Sequence, residues 1–210
     1  VVFLSSPFSL EAVELLEEVG IAAYKIPSGE ISNVPLLERV ARVGKPVLLS
    51  SGMSGWDELD LAVATVRKSC ATTIMQCSSA YPCPPERVGL NVIREMSDRY
   101  GLPVGYSDHT MGFAAPVAAA ALGAKVIEKH FTFSRLMYGS DARHSMEPGE
   151  FKAMAQALRE VWTMMENPVN KADIAPYADM KRIFEKSVVT ARAIASGEKI
   201  TAEMLAFKKP

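Results

Sequence analysis

The sequence predicts an α/β fold built on a parallel sheet, and three observations carry that prediction. Six short apolar runs recur along the chain, β-branched in part and mostly without alternation, which is how strands buried on both faces read. Amphipathic helical stretches separate them, at roughly 20 to 30 residues per unit. Gly20, Gly44, Gly101 and Gly123 each stand between a helical stretch and the next run. Glycine tolerates the left-handed conformation that ends a helix.

Taken in order, the apolar runs are residues 1–4, 22–26, 46–49, 72–75, 103–106 and 125–127. The first is followed by a helical pattern over Leu10–Val19, with Leu10, Val13, Leu15, Leu16 and Val19 on one side and glutamates on the other. A second pattern over 57–68 carries Leu59, Ala62, Val63 and Val66, and Ser54 with Asp57 makes a plausible cap pairing at its start. A helix over 148–165 closes the sixth unit. The eleven methionines fall mostly at helical positions and read as core. A (β/α)₈ barrel is typically about 250 residues, so six of its units fit here; a doubly wound open sheet is the alternative. The expected organisation is a partial barrel over 1–166, a polar, proline-bearing linker over 167–186, and the opening of a small β domain over 187–210. That last stretch holds Val188, Val189 and Thr190, a Gly197-Glu198 turn and a helix start at Thr201.

Composition narrows the function. The 23 basic and 24 acidic side chains give a net charge of −1. This argues against nucleic acid or an anionic membrane as partner, since both want a basic excess. No run of about 18 apolar residues offers a membrane span, and the opening residues do not read as a secretory leader. Cys70, Cys77 and Cys83 are odd in number and lack metal-ligand spacing, so a reduced, cytoplasmic setting is expected. There is no P-loop, GxGxxG or Gly-x-Ser-x-Gly.

In parallel α/β folds the site lies at the carboxyl ends of the strands. Each run here ends in hydroxyls or ionisable groups: Ser5 and Ser6; Lys25, Ser28 and Glu30; Ser50 and Ser51; Ser78, Ser79 and Tyr81; Ser107, Asp108, His109 and Thr110; Glu128, Lys129 and His130. A single serine there is ordinarily a cap or turn residue, but six such ends converge in space. Two of the three histidines, His109 and His130, end consecutive strands. Neighbouring strands lie about 4.8 Å apart, so the two rings can share a divalent metal whose remaining ligands come from elsewhere. Alternation puts Ser107 with His109, and Glu128 with His130, on one side. Lys25 with its neighbouring hydroxyls suits a phosphate or carboxylate, and Glu30 offers an acid–base or hydroxyl-binding group.

The motifs Ser5-Ser6-Pro7-Phe8, Tyr24-Lys25-Ile26-Pro27-Ser28-Gly29-Glu30, Ser50-Ser51-Gly52-Met53, Tyr81-Pro82, Ser107-Asp108-His109-Thr110 and Glu128-Lys129-His130-Phe131-Thr132 occur in the order and spacing of one family. By them the chain resembles the sialic acid synthase (N-acetylneuraminate synthase) family over essentially its whole length. The resemblance implies a (β/α)₈ barrel, here strands 3–8, followed by the start of an antifreeze-like (SAF) domain. It implies condensation of phosphoenolpyruvate with an N-acetylated amino sugar aldehyde, with release of phosphate and formation of a nine-carbon 2-keto sugar acid. It implies a manganese or magnesium ion on His109 and His130. Lys25, Ser6, Ser28, Ser50, Ser79, Tyr81 and Ser107 would hold phosphoenolpyruvate. Glu30 and Asp141 would contact the sugar, with Glu30 also placed for proton transfer. A domain-swapped homodimer is expected of the parent protein.

The chain departs from the family at Gln76, where histidine is common, and at Ser140, where the loop commonly reads Gly-Pro-Asp. These departures bear on the sugar, and a legionaminic or pseudaminic acid synthase is the alternative within the family. The residues before Val1 are expected to carry two further strands, so the 210 residues alone are expected to show little activity, or at most to act as a binding module.

Overall fold

Five parallel strands form one sheet in the order in which the chain makes them. They are β1 (Tyr24–Ile26), β2 (Val47–Ser50), β3 (Thr72–Cys77), β4 (Val104–Asp108) and β5 (Val126–Lys129) in a computed structural model that describes residues 1–209. Each strand lies beside its predecessor, as in Tyr24↔Val47, Val47↔Thr72, Ile74↔Val104 and Gly105↔Val126. A doubly wound sheet reverses its order at a switch point; this one does not, and it curls as a half-barrel. Gly105 assists the curl. A Cβ there would stand 2.9 Å from the Val126 carbonyl oxygen, so only glycine lets β5 approach this closely.

Helices cover the outer face: α1 (Leu10–Val19), α2 (Val34–Val43), α3 (Trp56–Val66), α4 (Asn91–Tyr100), α5 (Ala114–Ala121) and α6 (Pro148–Glu166). Ser9 caps α1 by accepting the Ala12 N–H, and Asn33 caps α2 through the Leu36 N–H. Gly20, Gly44 and Gly101 end α1, α2 and α4 in left-handed conformation, while Gly123 stands one residue beyond the Leu122 cap of α5. The strands alternate. Tyr24, Ile26, Val47, Leu49, Ile74, Val104 and Tyr106 face the helices and form the core with Leu37, Val40, Val63, Val66, Ile93 and Met96. The residues between them face the inside of the curl.

Four expectations are corrected. Residues 1–4 form no strand; only Ser5 bridges Tyr24, through the Lys25 N–H to the Ser5 carbonyl. In this 210-residue chain Val2 is 70% and Leu4 39% exposed. In α1, Val13 and Leu16 are buried, whereas Leu10, Leu15 and Val19 face outward. The α3 cap is Gly55, whose N–H donates to Glu58 at 3.1 Å; Ser54 stays in the preceding turn, its N–H on the Ser51 carbonyl. Of the methionines, Met75, Met96, Met146 and Met154 are core, but Met53, Met111, Met137, Met164, Met165 and Met180 are exposed.

The chain divides into two compact units, Val1–Glu166 and the segment from Asn167 onward. The stretch 167–186, read as a linker, carries a 3₁₀ turn at Ala175–Tyr177 and a helix, α7 (Ala178–Phe184). Beyond it, β6 (Ser187–Thr190) pairs antiparallel with β7 (Leu205–Lys208), with Val188 opposite Phe207. The helix start at Thr201 is a single 3₁₀ turn, Ala202–Met204. No helix among the described residues is long and apolar enough to cross a membrane.

Candidate active site

The carboxyl ends of the strands open onto a cavity of about 480 Å³. Ser6, Lys25, Ser28, Ser50, Ser79, Tyr81, Ser107, His109 and His130 all line it. Glu30 and Asp141 do not. The Glu30 carboxylate is engaged by the Asn33 side-chain amide at 2.7 Å. Asp141 lies in the loop after β5, its Oδ2 3.7 Å from His130 Nδ1.

Lys25 enters the cavity because its neighbours Tyr24 and Ile26 face the helices. Its side chain is 13% exposed, so it does not snorkel to the surface. The ammonium donates to Ser50 Oγ at 2.7 Å and stands 3.2 Å from Glu128 Oε1. Ser107 donates to the same Glu128 oxygen at 2.8 Å. Glu128 is thus a central member of the site that received no role from sequence; the alternation linking it to His130 was the signal that pointed to it. The register explains the grouping, since Cys77, Ser107 and Glu128 are successive cross-strand partners on the inner face.

Gly52 shapes the hydroxyl wall. Its N–H donates to Ser28 Oγ at 2.9 Å, which leaves the Ser28 hydroxyl hydrogen free to donate elsewhere. A Cβ at Gly52 would meet Ser79 Oγ at 2.4 Å and Ser28 Oγ at 2.7 Å. The bare glycine therefore lets these two hydroxyls converge. Cys77 lies at the same point, and burial pushes its thiol up, against hydrogen bonds from Ser28 and Ser107 that lower it. It is a neutral wall residue, not an activated nucleophile.

His109 and His130 meet edge to face with ring centroids 5.2 Å apart, and Tyr81 packs at 4.2 Å from His109. His109 Nδ1 is 3.0 Å from the Ser78 carbonyl oxygen. A carbonyl only accepts, so Nδ1 carries the proton and Nε2 holds the lone pair in the neutral ring. Burial lowers the His109 pKa, and the Ser78 carbonyl partly opposes that. No group of three or more His, Cys, Asp or Glu among the described residues is arranged to hold a metal. The donor set still fits a divalent ion with an open coordination sphere. It comprises two imidazoles in a polar cavity, one with its outer nitrogen held by a carbonyl as metal-bound histidines are.

Behind the cavity lies an ion pair that sequence reasoning did not identify. Asp108 and Lys129 are direct cross-strand partners, 0% and 1% exposed, with Nζ 2.5 Å from Oδ2. Tyr106 donates to Asp108 Oδ1 at 2.8 Å, the Thr110 N–H to Oδ1 and its hydroxyl to Oδ2, both at 3.0 Å, and Lys129 also donates to the Thr110 carbonyl. The rungs of β4 and β5 therefore alternate: Ser107–Glu128 on the cavity side, Asp108–Lys129 on the outer side. The two histidines follow one position later, back on the cavity side.

Gln76 points to the outer face, away from the cavity, and its amide donates to the Val88 carbonyl at 3.0 Å. The departure at this position thus makes no direct contact with the site.

Fold and cavity define an α/β protein with a curled parallel sheet and a candidate site at the carboxyl ends of its strands. The model of the NeuB family matches residues 1–170, and the chain belongs to that family. It is 39% identical over 214 residues to the N,N'-diacetyllegionaminic acid synthase of Campylobacter jejuni, with 100% of this chain and 64% of the relative covered. It is 37% identical to the N-acetylneuraminate-9-phosphate synthase of Homo sapiens, with 98% and 58% covered. The crystal structure of N-acetylneuraminic acid (sialic acid) synthetase from Leptospira borgpetersenii, in complex with citrate, superimposes with a TM-score of 0.80 at 30% identity. That match covers 88% of this chain and 66% of the other. The chain spans about three-fifths of the length of the curated relatives it matches.

Proposed function

We propose that the cavity binds phosphoenolpyruvate and an N-acetylated amino sugar aldehyde of the N-acetylmannosamine type. The protein condenses them, with water, to a nonulosonic acid and phosphate. The observation that carries this reading is the convergence, in one cavity, of Lys25 and the hydroxyls of Ser28, Ser50, Ser79 and Ser107 with the two imidazoles His109 and His130. An ammonium among hydroxyl donors suits a small phosphorylated carboxylate.

In this reading Lys25 neutralises the anion, and Ser6, Ser28, Ser50, Ser79 and Tyr81 orient it by donating hydrogen bonds, with Ser107, whose hydroxyl donates to Glu128, lining the same wall. Glu128 keeps Lys25 directed into the cavity, at 3.2 Å. His109 and His130 would hold a manganese or magnesium ion, which when bound supplies Lewis-acid polarisation of the sugar carbonyl. Asp141, beside His130, and Glu30, beside the cavity, contact the sugar, and Glu30 is the residue proposed to move a proton. The half-barrel belongs to a (β/α)₈ barrel and the β6–β7 hairpin to an antifreeze-like (SAF) domain, in a cytoplasmic homodimer. A diacetamido sugar leading to legionaminic acid is the second reading, favoured by the 39% identical relative.

Calorimetry with phosphoenolpyruvate tests the anion site directly, and one-to-one binding is expected. With the full-length parent protein, phosphate release on adding N-acetylmannosamine or its diacetamido counterpart, with and without manganese, then separates the two sugars. A chain that binds no phosphoenolpyruvate would overturn the proposal.

A further inference from the structure

Gln76 and Ser78 do no chemistry in the proposed reaction, yet a chain of hydrogen bonds joins both to His109. Gln76 is 6% exposed. Its Nε2 donates to the Val88 carbonyl at 3.0 Å, and Ser51 Oγ lies 3.4 Å from its Oε1. The Ser78 hydroxyl donates to the Arg87 carbonyl at 2.6 Å and lies 3.3 Å from the same Val88 carbonyl. The two side chains therefore hold neighbouring carbonyls at the end of this loop, Ser78 that of Arg87 and Gln76 that of Val88. From the other end of this loop the Cys83 N–H donates to the His109 carbonyl at 2.8 Å. The Ser78 carbonyl itself takes His109 Nδ1 at 3.0 Å.

Gly89 shows how closely the loop is drawn onto Gln76. It has φ +68, and a Cβ there would stand 2.8 Å from Gln76 Nε2. The turn reaches the amide only because this position lacks a side chain.

We infer that Gln76 is a positioning residue for His109. From the outer face of the sheet it anchors the 78–89 loop, so that the Ser78 carbonyl stays on Nδ1 and Nε2 remains the lone-pair nitrogen. The physical reason is that an imidazole has two neutral tautomers, and one fixed acceptor selects between them. Without the anchor the loop shifts, the carbonyl leaves Nδ1, and both tautomers are populated. The consequence for metal binding rests on the proposed function; the tautomer itself does not.

The test is a long-range ¹H–¹⁵N spectrum of the metal-free chain, at a pH where the ring is neutral. The wild-type chain should show His109 as a single Nδ1–H tautomer. Gln76→Leu and, independently, Ser78→Ala should show mixed tautomers. Gln76→His, which keeps a ring N–H donor, should keep the wild-type signature. Manganese titration should show about tenfold or greater weakening in Gln76→Leu, as when a group that orients a metal-bound histidine is removed. Circular dichroism identifies folded variants, and if Gln76→Leu does not fold, Ser78→Ala decides. An unchanged single Nδ1–H signature in the folded variants overturns the inference. If the tautomer shifts as expected but the wild-type chain binds no manganese, the inference stands and the reading of His109 as a metal ligand falls.

Discussion

Tyr24 and Ile26 are fully buried against the helices, so alternation leaves Lys25 pointing into the cavity, where it meets Ser50 and Glu128. Lys25→Met keeps the apolar stem and removes the charge. A hydrogen bond to a charged group is worth about 1.5–3 kcal/mol, so phosphoenolpyruvate binding should weaken roughly 10- to 100-fold by calorimetry. Asp108 presents a different case. Its carboxylate is fully buried and meets Lys129, Tyr106 and Thr110. Asp108→Asn leaves an uncompensated buried ammonium, and removing one member of such a pair costs about 3–5 kcal/mol. Urea denaturation should show that loss, and a change below about 1 kcal/mol would mean that the network does not stabilise the strand ends. Sequence exposed the two residues unequally. Lys25 drew attention because a lysine between two buried neighbours is unusual. Asp108 and Lys129 are legible only as ionisable groups at two strand ends, since nothing local reveals that two residues 21 positions apart are cross-strand partners.

Between elements, α3 and α4 are tied by Asp60. Its carboxylate meets Arg99 at 2.5 Å and Tyr100 at 2.9 Å, and Arg99 lies 5.0 Å over the Trp56 ring. The Arg99 and Tyr100 hydrogen bonds hold the Asp60 carboxyl at about 2, below its ordinary 3.8. A carboxylate with a depressed folded-state pKa stabilises the fold above its ordinary value, and this contribution is lost as pH falls from about 4 through 2. Asp60→Asn should therefore lower the melting temperature at neutral pH, with the difference from wild type closing near pH 2. A difference independent of pH would exclude the ionic contribution. The helices were legible as elements because apolar residues recur at their period. The tie between them was not, because helical periodicity says which face is buried and not which neighbour covers it. The same reason explains Leu10, Leu15 and Val19, which share the apolar character of Val13 and Leu16 yet face outward.

For the whole molecule, the chain divides into two compact units after Glu166, and the residues from 167 to 174 are exposed and form no helix or strand. Unit boundaries of this kind are cut first by proteases. Trypsin should cleave after Lys171 before it cleaves within residues 1–166, as read by mass spectrometry; an earlier cut inside 1–166 would contradict the division. The sequence by itself determined the α/β class, the five strands of the sheet, the helices between them with the glycines that end α1, α2 and α4, and most of the residues gathered at the carboxyl ends. Those follow from periodicity and from glycine placement, which are local properties of the chain. The tertiary structure alone decided that the sheet runs in sequential order, that Leu10, Leu15 and Val19 face outward, and that Glu128 stands beside Lys25. It also decided that Glu30 and Asp141 stand beside the cavity, and that Gln76 reaches His109 through a loop. Each of these depends on which strand lies next to which and on how far the sheet curls. That is long-range geometry, which no stretch of sequence encodes on its own.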